Sequence, residues 1–196
     1  MKDEKKTALE TPMMQQYKAF KAECGDAILF FRLGDFYEMF FEDAIAASEI
    51  LGITLTSRHK EEYVPMAGIP YHAADNYIKK LLEAGRKVAV CEQTEKPDPK
   101  KKRVERKVVR LLTPGTVVEE NSLDETSNNY LLAVVYDKRR SALAWCDVSC
   151  GDMFYAEVEN TKREEMIRRI QPREVISYGA VESDSATLID GHDVDL

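Results

Sequence analysis

At 196 residues, 44% hydrophobic and 32% charged, the chain has the composition of an ordinary globular protein with room for one large domain or two small ones. No apolar run approaches the roughly 18 residues of a membrane span, and the polar start Met1-Lys2-Asp3-Glu4-Lys5-Lys6 is unlike a secretory leader, so a cytoplasmic location is expected. The net charge of −7 argues against DNA binding by the whole surface, although residues 96–110 carry eight basic side chains against Asp98 and Glu105.

Residues 1–10 read as disordered. Thr11-Pro12 opens a helix, with Thr11 as cap and Pro12 in the first turn; Met13, Tyr17, Phe20 and Cys24 follow at helical spacing and Gly25 closes it. The apolar run 27–33 reads as a buried strand that Gly34 breaks. Asp35 then stands three residues before Glu38, the spacing of a capping box, and predicts a helix from Phe36 with Tyr37, Phe41, Ala44, Ser48 and Leu51 on one face. Phe36 falls on a less apolar stripe with Phe40 and Asp43. Two readings stay open: a core filler, or a ring that leaves the protein.

Residues 53–56 read as a short strand, 57–63 as a polar loop, and 66–72 as a turn feeding a helix whose apolar face is Ile78, Leu81 and Leu82. Strands are expected at 87–91 and 107–112 on either side of the basic segment. A turn at 113–116 and a polar linker at 119–129 follow. Alternating strands and helices indicate an α/β domain with a mixed sheet. From residue 129 the pattern changes: 130–136, 142–148 and 153–158 read as a three-strand meander, 162–170 as a helix and 174–178 as a fourth strand. The signal fades after Gly179.

Cys24, Cys91, Cys146 and Cys150 form neither a CxxC pair nor a regular framework, and reduced thiols are expected. His59, His72 and His192 lack ligand spacing, so no metal is expected. Asp137, Asp147 and Asp152 are the carboxylates that a metal-dependent nuclease would use, although turn chemistry accounts for Asp137 and Asp152.

Thr11-Pro12-Met13-Met14-Gln15-Gln16-Tyr17, Gly34-Asp35-Phe36-Tyr37-Glu38, Gly68-Ile69-Pro70-Tyr71-His72 and Thr113-Pro114-Gly115-Thr116 occur in this order, and the set resembles the amino-terminal part of the MutS family of DNA mismatch-recognition proteins. Val90-Cys91-Glu92-Gln93 and Val104-Glu105-Arg106-Lys107-Val108-Val109-Arg110 are similar to that family too. The resemblance covers residues 11 to about 178. It implies a mixed-sheet mismatch-binding domain at 11–128 and the start of a ribonuclease-H-like α/β connector domain at 129–196. No GxxxxGK[ST] phosphate loop occurs in this sequence, so no enzyme activity or cofactor is expected of it, with ATP and Mg reserved to full-length family members.

The resemblance also implies roles. Phe36 would enter the minor groove and stack on a mispaired or unpaired base, while Glu38 would hydrogen-bond that base through a base N–H or a protonated carboxyl. Arg58 and Arg110 align with basic family positions near DNA, with an ordinary surface arginine as the other reading of each. For Tyr71 and His72, lining the groove and packing of their turn on the following helix both stay open, and the 100–103 cluster would add diffuse attraction to phosphates. Implied partners are double-stranded DNA with mismatches or small loops, a second copy of the full-length protein, and MutL, with no membrane. A ribonuclease-H-like nuclease and a junction-binding module are the competing readings; paralogues of the second kind tend to lack the Phe-x-Glu pair.

Overall fold

The computed structural model describes residues 11–57, 63–95, 104–117 and 127–178, and the backbone of 188–190. Expectations for residues 1–10, Arg58, His59, 100–103, 119–126 and His192 lie outside the described residues.

The chain forms two compact units, Met1–Leu112 and Thr113–Leu196. In the first, helix α1 (Pro12–Cys24) begins as the sequence dictates. Thr11 is extended, its hydroxyl accepts from the Met14 N–H at 3.3 Å, and Pro12 occupies the first turn, where a missing N–H costs nothing. Strands β1 (Ile28–Leu33) and β2 (Phe36–Phe40) form a hairpin, followed by α2 (Phe41–Leu51), β3 (Thr56–Ser57), β4 (Pro65–Pro70), a short 3-10 turn (Tyr71–Ala73), α3 (Ala74–Glu83), β5 (Val88–Gln93) and β6 (Arg106–Leu112). The sheet order is β3-β4-β2-β1-β5-β6. Only β1 with β5 is parallel, so the sheet is mixed.

One side of this sheet packs on α1 through Met14, Tyr17, Leu29, Phe31, Phe40, Ala89 and Cys91. Asp43 is buried where α1, β1 and α2 meet. It takes a salt bridge from Lys21 at 2.8 Å and hydrogen bonds from the Tyr17 hydroxyl and the Leu29 N–H, each at 3.0 Å. Those donors satisfy a charge that would otherwise be costly inside the core.

The helix expected from Phe36 does not form there. Residues 36–40 are a strand, paired with β1 on one side and β4 on the other, and α2 starts only at Phe41. The Asp35–Glu38 capping box is therefore absent: Phe40 is the N-cap residue and no side chain caps α2. Gly34 explains the difference. Its φ of 59° turns the chain back on β1, and pairing on both edges of an aromatic-rich segment outweighs the local capping signal. Tyr37 consequently leaves the helical face assigned to it; Asp43, Ala44, Ala47 and Leu51 are the buried residues of α2. Two smaller differences follow the same logic. Residues 66–70 are strand where a turn was expected, and of the strand expected at 53–56 only Thr56 is strand; it and Ser57 pair with Met66 and Pro65 of β4.

The second unit contains β7 (Tyr130–Tyr136), β8 (Arg140–Asp147), β9 (Asp152–Glu159), α4 (Arg163–Ile170), β10 (Glu174–Tyr178) and β11 (Leu188–Asp190), the last lying where the sequence signal fades. The order β11-β10-β7-β8-β9 has an antiparallel meander at one end and parallel strands at the other. That is the opening topology expected of a ribonuclease-H-like domain. Ile167 and Ile170 of α4 close one face over Leu132, Val134, Leu143 and Val175. The sequence boundary at 128/129 puts the turn 113–116 in the first domain, whereas the compact second unit begins at Thr113. In that turn the Gly115 N–H donates to the buried Glu174 carboxylate at 2.9 Å. Among the described residues, no helix is long and apolar enough to cross a membrane.

Candidate nucleic-acid interface

Strand β2 carries the site, and its pleat decides what the site can do. Residues two apart on a strand point to the same side, so Phe36, Glu38 and Phe40 share the face covered by α1. Their exposure falls along the strand. Phe36 is 48% exposed, Glu38 is intermediate and Phe40 is fully buried, packed edge-on against Tyr17 with ring centroids 5.0 Å apart. The strand thus dives under α1 and leaves only its first turnward residues open. Had 36–40 been helical, Phe36 and Glu38 would point to nearly opposite sides. On the strand they stand about 6.6 Å apart along one side, close enough to address one base.

Cross-strand neighbours shape the surroundings. Phe36 pairs with Leu33 and Pro70, and Glu38 pairs with Phe31 and Gly68. A Cβ added at Gly68 would make ordinary contacts, 3.7 Å from Glu38 Cγ, so this glycine is not demanded by crowding; its missing side chain keeps the surface beside Glu38 low. The Arg106 guanidinium lies over the Phe31 ring at 4.6 Å; its Nε–H donates to the Arg32 carbonyl at 2.9 Å, and an Nη donates to Gln16 Oε1 at 2.8 Å. Burial pulls this guanidinium below its ordinary pKa, with Cys91 opposing. A fixed cation, reaching in from β6, therefore lies over Phe31, the cross-strand partner of Glu38.

On the reverse face, Tyr37 is buried against Phe30 and donates its hydroxyl to Glu92. Burial, followed by the Glu92 contact, pushes the Tyr37 phenol up to about 12. Arg32 lies between these groups, 3.8 Å from Glu92, with its guanidinium 3.6 Å from the Tyr71 ring centroid.

Of the residues read from sequence, Phe36 and Glu38 are side by side. Tyr71 and His72 follow β4 in the adjoining turn, their rings edge-to-face at 5.8 Å; the Tyr71 N–H donates to the Asp35 carbonyl at 3.0 Å, and the Tyr71 ring lies over Arg32, on the reverse face. Tyr71 is 43% exposed. Arg110 is not brought to this group. It lies on β6, three strands from β2, and its register partner Val90 sits on the side of Phe30 rather than that of Phe31. Arg58 lies outside the described residues. Arg32, Glu92 and Arg106 were given no role from the sequence; Glu92 and Arg106 fall within the quoted motifs, and Arg32 within the strand expected at 27–33.

The nuclease carboxylates do not assemble. Asp137 accepts from the Arg139 and Arg140 N–H groups, each at 2.7 Å, and Asp147 accepts from the Asn129 N–H at 2.8 Å and the Ser149 N–H at 3.0 Å. They lie at opposite ends of the β7–β8 pair, with Asp152 opposite Asp147. Among the described residues, no group of three or more His, Cys, Asp and Glu side chains could hold a metal ion.

Fold and site together define a two-domain α/β module that presents an exposed aromatic and a carboxylate from one strand. Residues 11–121 match the family model of MutS domain I, and residues 129–194 match that of MutS domain II. The chain belongs to the MutS family. It is 50% identical to the DNA mismatch repair protein MutS of Staphylococcus saprophyticus over 176 residues, which is 88% of this chain and 20% of that protein. It is 52% identical to that of Staphylococcus aureus over 170 residues (85% and 19%), and 49% identical to that of Lachnoclostridium phytofermentans over 169 (85% and 18%). The chain thus spans about a fifth of the length of the curated relatives it matches.

Proposed function

We propose that this chain reads mispaired or unpaired bases in double-stranded DNA for mismatch repair, with Phe36 as a minor-groove wedge and Glu38 hydrogen-bonding the displaced base. The observation that carries the reading is the shared, partly open face of Phe36 and Glu38 at the tip of the β1–β2 hairpin. Inserting an apolar ring unstacks a base step and kinks the duplex at a cost of about a few kcal/mol. A mismatch has already lost part of its pairing and stacking energy, so the same kink costs less there. Recognition through deformability accommodates unlike mismatches with one ring.

Glu38 sharpens the choice. A mismatched base has polar edges without partners, and leaving one unpaired costs about 1–3 kcal/mol. At a normal pair those edges are occupied, and the carboxylate meets only the negative field of the backbone. Tyr71 and His72 would border the groove beside the wedge, while Arg58 and Arg110 would supply phosphate contacts. In this reading, a pair of full-length proteins closes on the duplex, ATP and Mg act in parts of that protein beyond this segment, and the second domain offers a surface to MutL.

The test is a full-length MutS whose corresponding segment is replaced by residues 11–178 of this chain. Phe36→Ala in that protein should abolish the preference for mismatched over matched duplex while melting within about 2 °C of the parent, because the ring is half exposed. A melting temperature lowered by about 10 °C would make Phe36 a core residue and sink the wedge.

A further inference from the structure

We propose that Arg32 and Tyr71 are positioning residues, whose stacked side chains, tied to Glu92 and Tyr37, brace the back of the hairpin and fix the direction in which Phe36 and Glu38 are presented. The proposal rests on the reading of that pair as the base reader.

The argument begins with parity. Phe36 and Glu38 occupy one face of β2, so the residue between them, Tyr37, must face the other way. There its partner across β1 is Arg32, and Glu92 of β5 lies beyond Arg32, 3.8 Å from the guanidinium. The Tyr37 hydroxyl spans Arg32 to reach Glu92, and the Arg32 guanidinium lies 5.5 Å from the Tyr37 ring centroid. The strand segment that carries the reader is thereby fastened across two neighbouring strands from behind.

Tyr71 extends the fastening to the hairpin turn. Its ring lies 3.6 Å from the Arg32 guanidinium, its N–H donates to the Asp35 carbonyl at 3.0 Å, and Arg32 Nε–H donates to the Gly34 carbonyl. Both turn residues are thus held by groups from this one cluster. Phe36 is the last residue of the β1–β2 register, paired with Leu33, where a hairpin end otherwise opens readily. An arginine is suited to the centre of such a cluster. Its planar guanidinium can stack on a ring and donate at its edge at the same time, which a lysine ammonium does not do.

Discrimination depends on this rigidity. A wedge already held in its binding direction loses little freedom on insertion, so the difference between a deformable and a stiff base step reaches the affinity undiminished. A loose wedge yields to the stiff step and spends the difference on its own reorganisation.

The experiment places 4-fluorophenylalanine at position 36 of the full chain and reads the 19F relaxation of that ring without DNA, with Arg32→Met, Tyr71→Leu and Tyr71→Phe compared. The same substitutions, without the label, go into the full-length graft described above, titrated with a mismatched and a matched duplex. Arg32→Met and Tyr71→Leu should increase ring mobility and lower the mismatched-to-matched affinity ratio by about tenfold, with matched affinity unchanged in Arg32→Met. Tyr71→Phe keeps the ring and should preserve both readouts. A label as rigid in Arg32→Met and Tyr71→Leu as in the parent overturns the brace, and so does a loosened label with an unchanged ratio. Equal weakening on both duplexes with a rigid label would make Tyr71 a direct DNA contact and overturn it as well. If the unsubstituted graft shows no mismatch preference, the reading of Phe36 falls, and the 19F comparison alone decides the brace.

Discussion

Gly115→Ala tests how the turn after β6 is seated in the second unit. Gly115 has no left-handed backbone to excuse the glycine; space is the reason for it. A Cβ there would lie 2.8 Å from Glu174 Cβ, 3.0 Å from Glu174 Oε2 and 3.2 Å from Leu131 Cβ. Two of these atoms are Cβ carbons fixed to β10 and β7, so no rotamer change relieves the crowding, and the turn must lift. Overpacking of this kind costs about 1–3 kcal/mol. Lifting also breaks the 2.9 Å hydrogen bond from the Gly115 N–H to Glu174, whose Oε1 has no hydrogen-bond partner among the described residues. Losing the remaining bond to a buried carboxylate costs about 1.5–3 kcal/mol. The two losses share one displacement, so about 3 kcal/mol is the reasoned total. Trp145, the single tryptophan of the chain, lies in this unit and stacks on Phe154, which makes its fluorescence in a urea titration the natural assay. With a slope near 1.5 kcal/mol per molar urea, the midpoint should fall by about 2 M. A midpoint within about 0.3 M of the parent would refute the claim that this turn is clamped against β10.

Asp147 gives the second unit an acid limit. Burial by itself would raise its carboxyl, but hydrogen bonds from the Ser149 hydroxyl and the Asn129 and Ser149 N–H groups hold it below the ordinary carboxylate range. Stability from this group is complete above the unfolded-state value of about 3.9 and is lost as pH falls through the lower folded-state value. Asp147→Ala should destabilise by about 1–3 kcal/mol at neutral pH and flatten the acid side of the Trp145-monitored stability curve; an unchanged curve would contradict this. Cysteine labelling probes the first unit. Burial pushes the Cys91 thiol up to about 12, whereas Cys150 is exposed. At pH 8, Cys150 should react with a thiol reagent before unfolding and Cys91 only after it; early labelling of Cys91 would mean that the α1 layer opens.

Much of this fold was legible because the local signals were unopposed. α1 has a capping threonine, a first-turn proline and a closing glycine, and β10 is a short strand rich in β-branched and aromatic residues that stops before Gly179. The reader strand was misread because two local rules collided. Asp35 and Glu38 carry the spacing of a cap, and the overlapping residues 36–40 carry strand-forming aromatics; the choice is made by pairing with β4, about thirty residues away. No loop separates β2 from α2 to mark the change. Phe40 ends the strand and precedes the helix directly, and Phe41 takes a left-handed φ of 54° to make the bend. The pair Phe36 and Glu38 was found in spite of this, since the motif fixes identity and spacing and not conformation. The roles of Arg32 and Glu92 were missed because their meaning lies in cross-strand adjacency, which spacing along the chain does not encode.

The Gly34–Asp35 turn therefore sets a rule of counting for any change in chain length near it. One residue added between Asp35 and Phe36, if the turn kept its length and β2 slipped by one position against β1 and β4, would exchange the two sides of the strand. Tyr37 would then face outward, and the ring and carboxylate would be driven into the space that Arg32 and Phe30 fill. Two added residues would restore the facing and lengthen the reach of the hairpin. The tip can therefore grow or shrink in even steps and keep its working side, while an odd step turns it over.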